Sequence, residues 1–564
     1  MALKNIYFLV LLLGSMNLVF SNDTPDNNTV QKFKKMGLVW GLLKYHHPDV
    51  SDGQYDWEDE FIKLFERIEK LDGVEKVDSA LLKFVKRYDT KDIRTDDVKD
   101  TELFLKNSDY SWIDILIDNA ELKGLLHQLK ENKNIGDYYT HVSSIGFIDF
   151  PNEGKMKDFS FMKASHRLLT LFEFWNVIQY WYANKYLITN NWEGILEKYI
   201  PGFLDCENNF EFELLKTKLF VELKDSHTEF YSKTVADSLF KFKPNFLVVN
   251  VNDSLVVNYI IHRKRCEMDD IQLGDVITKI DGVSIKEAVK GKLSPLIPAS
   301  NTSFLSYNSN YLIHSHKKEL DIEMLRNGEL LQRKIHLSEQ YVSDNPYTKE
   351  GEHAAVEKLR KDVYYLDLSQ LTKKACDSFF KVNKLKIEHL IIDARRYPNK
   401  DLYLSDLGDH LITEKKNFFK VISPVNKAPS KYVYRESTTG VLGAFANSFT
   451  VGKKSNNKNV RGKIILIVNR STMSKGEYYG MAIQQAPNCI TIGQQTAGSP
   501  MNVTSFELPD GTEFRFTSMT TFYPNSDLEV QQNGLKIDYF VPLSTHNYHS
   551  DQYIDFALKT IDGL

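Results

Sequence analysis

The run Lys463-Ile-Ile-Leu-Ile-Val468 passes straight into Asn469-Arg-Ser-Thr-Met-Ser-Lys-Gly-Glu477, and this junction constrains the fold more than any other stretch of the chain. An unbroken apolar run of that length reads as a buried strand. The helix-like segment Tyr478–Gln485 follows it, so Ser474 falls at the carboxyl end of a strand and the start of a helix. The unpaired N–H groups and positive dipole end of a helix can stabilise an oxyanion there. Ser474 is therefore a candidate nucleophile, and the backbone N–H of Lys475 a candidate oxyanion donor. The same letters carry a second meaning. Ser474 and Glu477 fit an S-x-x-E capping box, which begins many ordinary helices, and the stretch alone does not choose between the two.

The surrounding pattern divides the chain into regions. Residues from about 30 to 220 are rich in helical spacing and aromatics, notably Phe33–Tyr45 and Leu168–Tyr186, whose apolar stripes read as core. The charged stretch Asp89–Asp100 reads as an exposed loop. From Lys241 to Leu337 the pattern turns to short alternating strands, including Phe246–Val251, Leu255–Ile261 and a hairpin around Asp281-Gly282. After the polar linker Glu339–Gly351, strands at Val363–Leu368, His389–Asp393, Lys463–Val468 and Cys489–Ile492 alternate with helical segments. That alternation is the signature of a largely parallel sheet in an α/β fold.

A second candidate site lies about 250 residues upstream of Ser474, at Leu223-Lys-Asp-Ser-His-Thr228, after a helical run from Glu211 to Leu223. Together with Ile271-Gln-Leu-Gly-Asp-Val-Ile-Thr-Lys-Ile-Asp-Gly-Val-Ser284 between the two sites, the chain resembles the C-terminal-processing and tricorn-like serine peptidases. The resemblance spans roughly residues 30 to 564 and points to the tricorn-like branch. It implies a multidomain α/β protein, with a crotonase/Clp-like catalytic domain, an inserted PDZ-like β domain and a helical N-terminal region. The expected divisions are a signal peptide over 1–21, the helical region over 22–240 ending in the Ser-His segment, the PDZ-like domain over 241–340 and the peptidase domain over 341–564. The PDZ-like domain would take an extended peptide on an open sheet edge, although it has no clear glycine-rich carboxylate-binding loop.

A serine hydroxyl needs a neighbouring base. The processing branch supplies a Lys in the glycine-rich turn after the next strand. Here that turn is Gly493-Gln-Gln-Thr-Ala-Gly-Ser499, with Ser499 in the Lys position. His227, whose ordinary pKa lies near operating pH, becomes the expected base. The resemblance further implies that Ser226 orients His227 and that a carboxylate near the C-terminus polarises Ser226. Within Glu529-Val-Gln-Gln-Asn-Gly-Leu-Lys-Ile-Asp538 the position expected to hold that carboxylate is Gln531. Either Glu529 reaches in or Gln531 substitutes for it uncharged. In Asp393-Ala-Arg-Arg-Tyr-Pro-Asn-Lys400 the family's glycine-rich loop is replaced by Tyr397-Pro398, and Pro398 has no N–H to give.

Composition fits an exported enzyme. Ile6 to Leu13 form an apolar core too short to span a bilayer, and Val19-Phe-Ser21 allow cleavage before Asn22, so a periplasmic or secreted protein without stable membrane insertion is expected. A net charge of −4 over 564 residues speaks against a nucleic-acid surface. Cys206, Cys266, Cys376 and Cys489 lack metal or redox spacing and read as single thiols, with one unassigned bridge left open. The histidines include no HExxH pair, so no metal and no cofactor are expected. The expected function is an exported serine endopeptidase acting on peptides or unfolded proteins, with room for a homo-oligomer. The alternatives are a catalytically impaired scaffold that binds peptides, or an unrelated esterase or amidase, though Ser474 lies in no G-x-S-x-G elbow.

Overall fold

A computed structural model describes residues 26–88, 103–154, 156–188, 191–228, 232–340, 353–384, 386–435, 449–455, 459–545 and 551–563. The expected leader over 1–21 and the stretch Asp89–Asp100 lie outside the described residues, as does most of the linker Glu339–Gly351.

Helix α1 (Asn27–His46) begins where the Asp26 side chain accepts the N–H of Thr29 at 2.7 Å, and ends before Pro48, whose ring disfavours helical backbone at His47. Its neighbour is α2 (Ala164–Trp181). Both were expected to bury a stripe; both are instead buried on nearly every side. The spacing Gly37-x-x-x-Gly41 lets the two helices approach closely. A Cβ on Gly37 would stand 2.1 Å from the Phe172 ring, and one on Gly41 1.9 Å from the Asn176 amide. Burial this complete traps charge. The Lys44 ammonium, at 0% exposure, lies 2.6 Å from Glu153, 3.2 Å from Glu58 and 3.5 Å from Glu173. Among the described residues these three carboxylates are the one group close enough to hold a metal ion, and Lys44 stands among them. Burial and its carboxylate neighbours push Glu173 well above the ordinary carboxyl range.

The middle region is an antiparallel sheet of β1 (Phe246–Val251), β2 (Ser254–Ile260), β3 (Val276–Ile280), β4 (Val283–Ser284), β5 (Glu319–Arg326) and β6 (Glu329–His336). Its order is β1-β2-β3-β5-β6, with β4 paired to β3. Three of its connections are two-residue turns with both φ values positive: Asn252-Asp253, Asp281-Gly282 and Asn327-Gly328. Such turns match the right-handed twist of a hairpin and favour Asn, Asp and Gly.

The C-terminal region is built on a second sheet, of β7 (Val356–Lys358), β8 (Val363–Asp367), β9 (His389–Asp393), β10 (Ile464–Val468), β11 (Cys489–Gly493) and β12 (Tyr539–Phe540), in that order. All neighbours from β8 to β12 are parallel, and β7 is antiparallel. Strand β10 is apolar throughout because both faces are covered. Ile464, Leu466 and Val468 join one core, Ile465 and Ile467 the other.

One element ties this region back to the helices. The hairpin Val503–Glu507/Glu513–Thr517 sends Phe506, Phe514 and Phe516 into the α1–α2 core, with Phe514 edge-on to Phe174 at 4.9 Å. Helix α3 (Asn209–Val221) packs there too, through Phe220 at 4.5 Å from the Phe514 ring. The end of α3 and the end of the hairpin therefore meet, and they bring residues 225–227 to Thr517. None of the four cysteines forms a disulfide; Cys266 and Cys376 are buried and Cys206 and Cys489 half-buried. Among the described residues no helix is long and apolar enough to cross a membrane.

Candidate active site

The chain leaves β10 and turns sharply before α4 (Lys475–Ile483). Asn469 fixes the turn by accepting the N–H and hydroxyl of Ser471 at 3.0 and 2.8 Å, while the Thr472 hydroxyl donates to the carbonyl of Ala394 at 2.9 Å. Ser474 then adopts φ 55° and ψ −122°, a region that costs a residue with a side chain about 1–3 kcal/mol. Its N–H donates to the carbonyl of Ser499 at 3.0 Å, and its hydroxyl caps nothing. The hydroxyl half of the capping-box reading is thereby overturned. What distinguishes it from the nucleophile reading is backbone conformation, since a capping serine sits in extended backbone.

Glu477 faces a different loop. Fully buried, it accepts the hydroxyl of Thr496 and the N–H groups of Gly498 and Ser499, both at 2.8 Å. Burial lifts its carboxyl to about 7, against those hydrogen bonds, which pull it down. The effect of these contacts is to hold the turn Thr496–Ser499 against the first turn of α4.

That turn is also where the upstream site attaches. Asp225, at 0% exposure, accepts the Ser499 hydroxyl at 3.0 Å, the N–H of His227 at 3.0 Å, and both the hydroxyl and the N–H of Thr517 at 2.8 and 2.7 Å. His227 Nδ1 lies 3.0 Å from the Thr517 hydroxyl oxygen. Because that hydroxyl donates to Asp225, its lone pair accepts from Nδ1–H, which puts the imidazole lone pair on Nε2. Ser474 and His227, some 250 residues apart in sequence, are thus fastened to one turn.

The remaining expectations need correction. The Ser226 hydroxyl, expected to orient His227, donates to the carbonyl of Ala497 at 2.9 Å and accepts from the N–H of Ser300 at 2.9 Å. Glu529, expected to polarise Ser226, accepts from the Tyr186 hydroxyl at 3.1 Å. Gln531 is fully buried, and among the described residues neither polar atom of its side chain has a hydrogen-bond partner. His227 itself meets Asp225 through its backbone N–H and Thr517 through Nδ1. Asp225 was legible as the residue beside Ser226; Thr517, almost 300 positions away at the end of a hairpin, carried no sequence signal. The Lys475 side chain turns away, donating to the carbonyl of Asn399 at 2.7 Å, while its N–H lies in the first turn of α4, where an amide has no partner within the helix. The loop Asp393–Lys400 lies against that turn, with Pro398 Cδ 3.8 Å from where a Cβ on Gly476 would be.

Ser474 lines a cavity of about 410 Å³ whose walls are mostly apolar, among them Phe419, Val421, Phe449, Tyr478 and Met519. A volume of this order accommodates one large side chain and the backbone around it.

Residues 362–541 match the model of peptidase family S41. No curated protein sequence matches the chain. Among solved structures, mature CPAF superposes with a TM-score of 0.52 at 11% identity, over 70% of this chain and 95% of that one. Mature CPAF complexed with lactacystin gives 0.51 at 12%, over 70% and 96%. The tricorn protease gives 0.33 at 17%, over 73% and 37%, too low to carry an argument. The CPAF likeness establishes the fold and the family match the class of chemistry: the segment 362–541 is a peptidase family S41 domain, and the chain that carries it is a serine-type peptidase.

Proposed function

We propose that this peptidase is an exported endopeptidase that cuts peptides or unfolded proteins beside a large apolar side chain, with Ser474 as nucleophile and His227 as base. The observation that carries the reading is the backbone of Ser474, held at φ 55° on a strand-to-helix elbow in the wall of an apolar cavity. His227 Nε2 takes the Ser474 proton as the hydroxyl attacks the scissile carbonyl, and returns it to the leaving amine; water then releases the acyl group by the reverse sequence. The N–H of Lys475 receives the oxyanion. Asp225, through Thr517, holds the imidazole and stabilises its charged form. Export rests on the apolar segment Ile6–Leu13 ahead of Val19-Phe-Ser21. We read the β8–β12 sheet as crotonase-like and the β1–β6 sheet as PDZ-like, with the sheet edge at β6 as the place for an extended peptide, since Asn310 and Arg470 take up the backbone groups of β1.

An activated-serine reagent followed by peptide mapping tests the assignment, alongside cleavage-site analysis of an unfolded protein. Labelling of Ser474 and cuts next to Leu, Phe or Met are expected; labelling elsewhere, or none on folded protein, removes Ser474 from the role. One observation favours a second reading, an impaired scaffold that binds peptides. Where the resemblance implies a carboxylate, Gln531 is neutral and makes no hydrogen bond among the described residues. Stoichiometric peptide binding without turnover would be its signature.

A further inference from the structure

Part of the wall of the Ser474 cavity comes from far outside the α4 turn. Val421 lies on the strand Lys420–Val425, and Ile145 and Phe147 belong to the hairpin His141–Val142/Ile148–Asp149 of the helical region. The hairpin tip is closed by the N–H of Ser143 on the carbonyl of Phe147 at 2.8 Å. It is pressed onto the strand at Gly146, whose φ is 89° and where a Cβ would stand 2.6 Å from Ser423. The residue that joins the two walls is Arg435, at the end of the antiparallel neighbour Ala428–Arg435. In the strand register Arg435 stands opposite Val421, so its side chain leaves the sheet on the face that lines the cavity. Its Nε donates to the Ser423 hydroxyl at 2.6 Å and its Nη1 to the carbonyl of Ser144 at 3.1 Å.

Those two bonds leave one edge of the guanidinium unused. Nη2 meets no acceptor, and the group as a whole no carboxylate, among the described residues. Arg435 is half-buried, and burial alone holds its pKa below the ordinary arginine value. The cavity wall holds no acid, and its one charged residue is Lys475. A half-buried guanidinium with a free edge is suited to a carboxylate, which it can bind through two parallel N–H donors. An extended peptide places residues two apart on the same side, about 7 Å from each other. We propose that Arg435 is a specificity-determining residue, selecting substrates that carry an acidic side chain two positions from the large apolar residue in the cavity. The spacing rests on the reading of this cavity as the substrate pocket; the preference for an acid rests on Arg435 alone. Nε and Nη1 hold the wall in place, and Nη2 reads the charge.

The test uses the full-length protein and octapeptides blocked at both ends, with one Leu as the only large apolar residue and Glu or Gln two positions before or after it. In one of the two placements the Glu peptide is expected to be cut with kcat/KM about tenfold above its Gln counterpart. Arg435→Gln should erase that ratio, Arg435→Lys should keep most of it, and Arg435→Glu should reverse it in favour of a Lys peptide. A residue that only props the wall would change the rates of the Glu and Gln peptides alike. Equal cleavage of the Glu and Gln peptides by the wild type in both placements, or a ratio that survives Arg435→Gln in folded protein, therefore overturns the proposal. So does a preference that appears only when the peptide carries a free C-terminal carboxylate. The same peptides, fluorescently labelled, are bound to Ser474→Ala protein and read by anisotropy. A preference for Glu that follows Arg435 in binding, without any hydrolysis by the wild type, would sink the nucleophile assignment and leave the acidic subsite standing.

Discussion

Thr517 gives Asp225 both its amide proton, at 2.7 Å, and its hydroxyl proton, at 2.8 Å, and meets His227 Nδ1 on the other side of the same hydroxyl at 3.0 Å. A single hydroxyl thus stands between a buried carboxylate and the imidazole. The carboxylate reaches the ring through it and holds the His227 backbone N–H directly. Thr517→Val keeps the shape and the amide bond but removes the relay, so kcat should fall by about 10² with little change in KM. Thr517→Ser should stay within a few-fold of wild type and keep its pH profile. A folded Val variant with wild-type kcat would show that Asp225 serves the fold alone.

The conformation of Ser474 makes a separable prediction about stability. Ser474→Ala keeps the strained backbone and should abolish hydrolysis at almost unchanged thermal midpoint. Ser474→Gly should be equally inactive yet more stable by about 1 kcal/mol, since glycine adopts positive φ freely and the strain relieved outweighs its greater entropy in the unfolded chain. A glycine variant less stable than the alanine one would mean that the elbow is not strained.

How much of this was readable beforehand depends on the distance over which each feature is determined. Strand β10, the hairpin at Asp281-Gly282 and the start of α4 are set by local sequence, and the structure has them within a few residues of expectation. Helices α1 and α2 were legible as helices, but their burial on all sides was not, because it depends on Gly37 and Gly41 meeting Phe172 and Asn176 from another part of the chain. Ser474 and His227 could be picked out as candidates from their motifs. Their supports could not. The partner of Glu477 is a turn about 20 residues on, and Thr517 reaches Asp225 only because Phe514 and Phe516 draw the hairpin into a distant core. Glu529 illustrates the opposite error: the carboxylate is present, but Tyr186 claims it.

Gln531 offers a test that distinguishes function from packing. Two buried polar atoms without partners cost about 1–3 kcal/mol each, so Gln531→Met should be neutral or stabilising, with activity within a few-fold of wild type. Gln531→Glu should lower the thermal midpoint, because it buries a charge where the described residues offer no hydrogen bond. If Gln531→Met instead lost activity at unchanged stability, the amide would be acting on the site through solvent, and its neutrality would become the reason for any slow turnover.

The last prediction concerns pH and Glu477. Its carboxyl titrates at about 7 in the folded protein, against an ordinary value of 4.5, because burial disfavours its charge. A raised carboxyl pKa means that the folded protein holds a proton the unfolded chain has released. The stability this contributes is complete below about 4.5 and is lost as pH rises through about 7. Glu477→Gln does not titrate, so the thermal midpoint of wild type minus that of the variant should shrink steadily from pH 4.5 to pH 8. Catalysis should move the other way. The ionised carboxylate can accept the Gly498 and Ser499 N–H groups on separate oxygens, whereas the protonated form gives up part of that capacity and loosens the turn that carries Ser499. Wild-type kcat/KM should therefore rise through about pH 7, with one component of that rise missing in Glu477→Gln, whose amide cannot accept on both atoms. A midpoint difference that stays flat across this range would show that Glu477 does not titrate there, and would leave the pH dependence of activity to His227 alone.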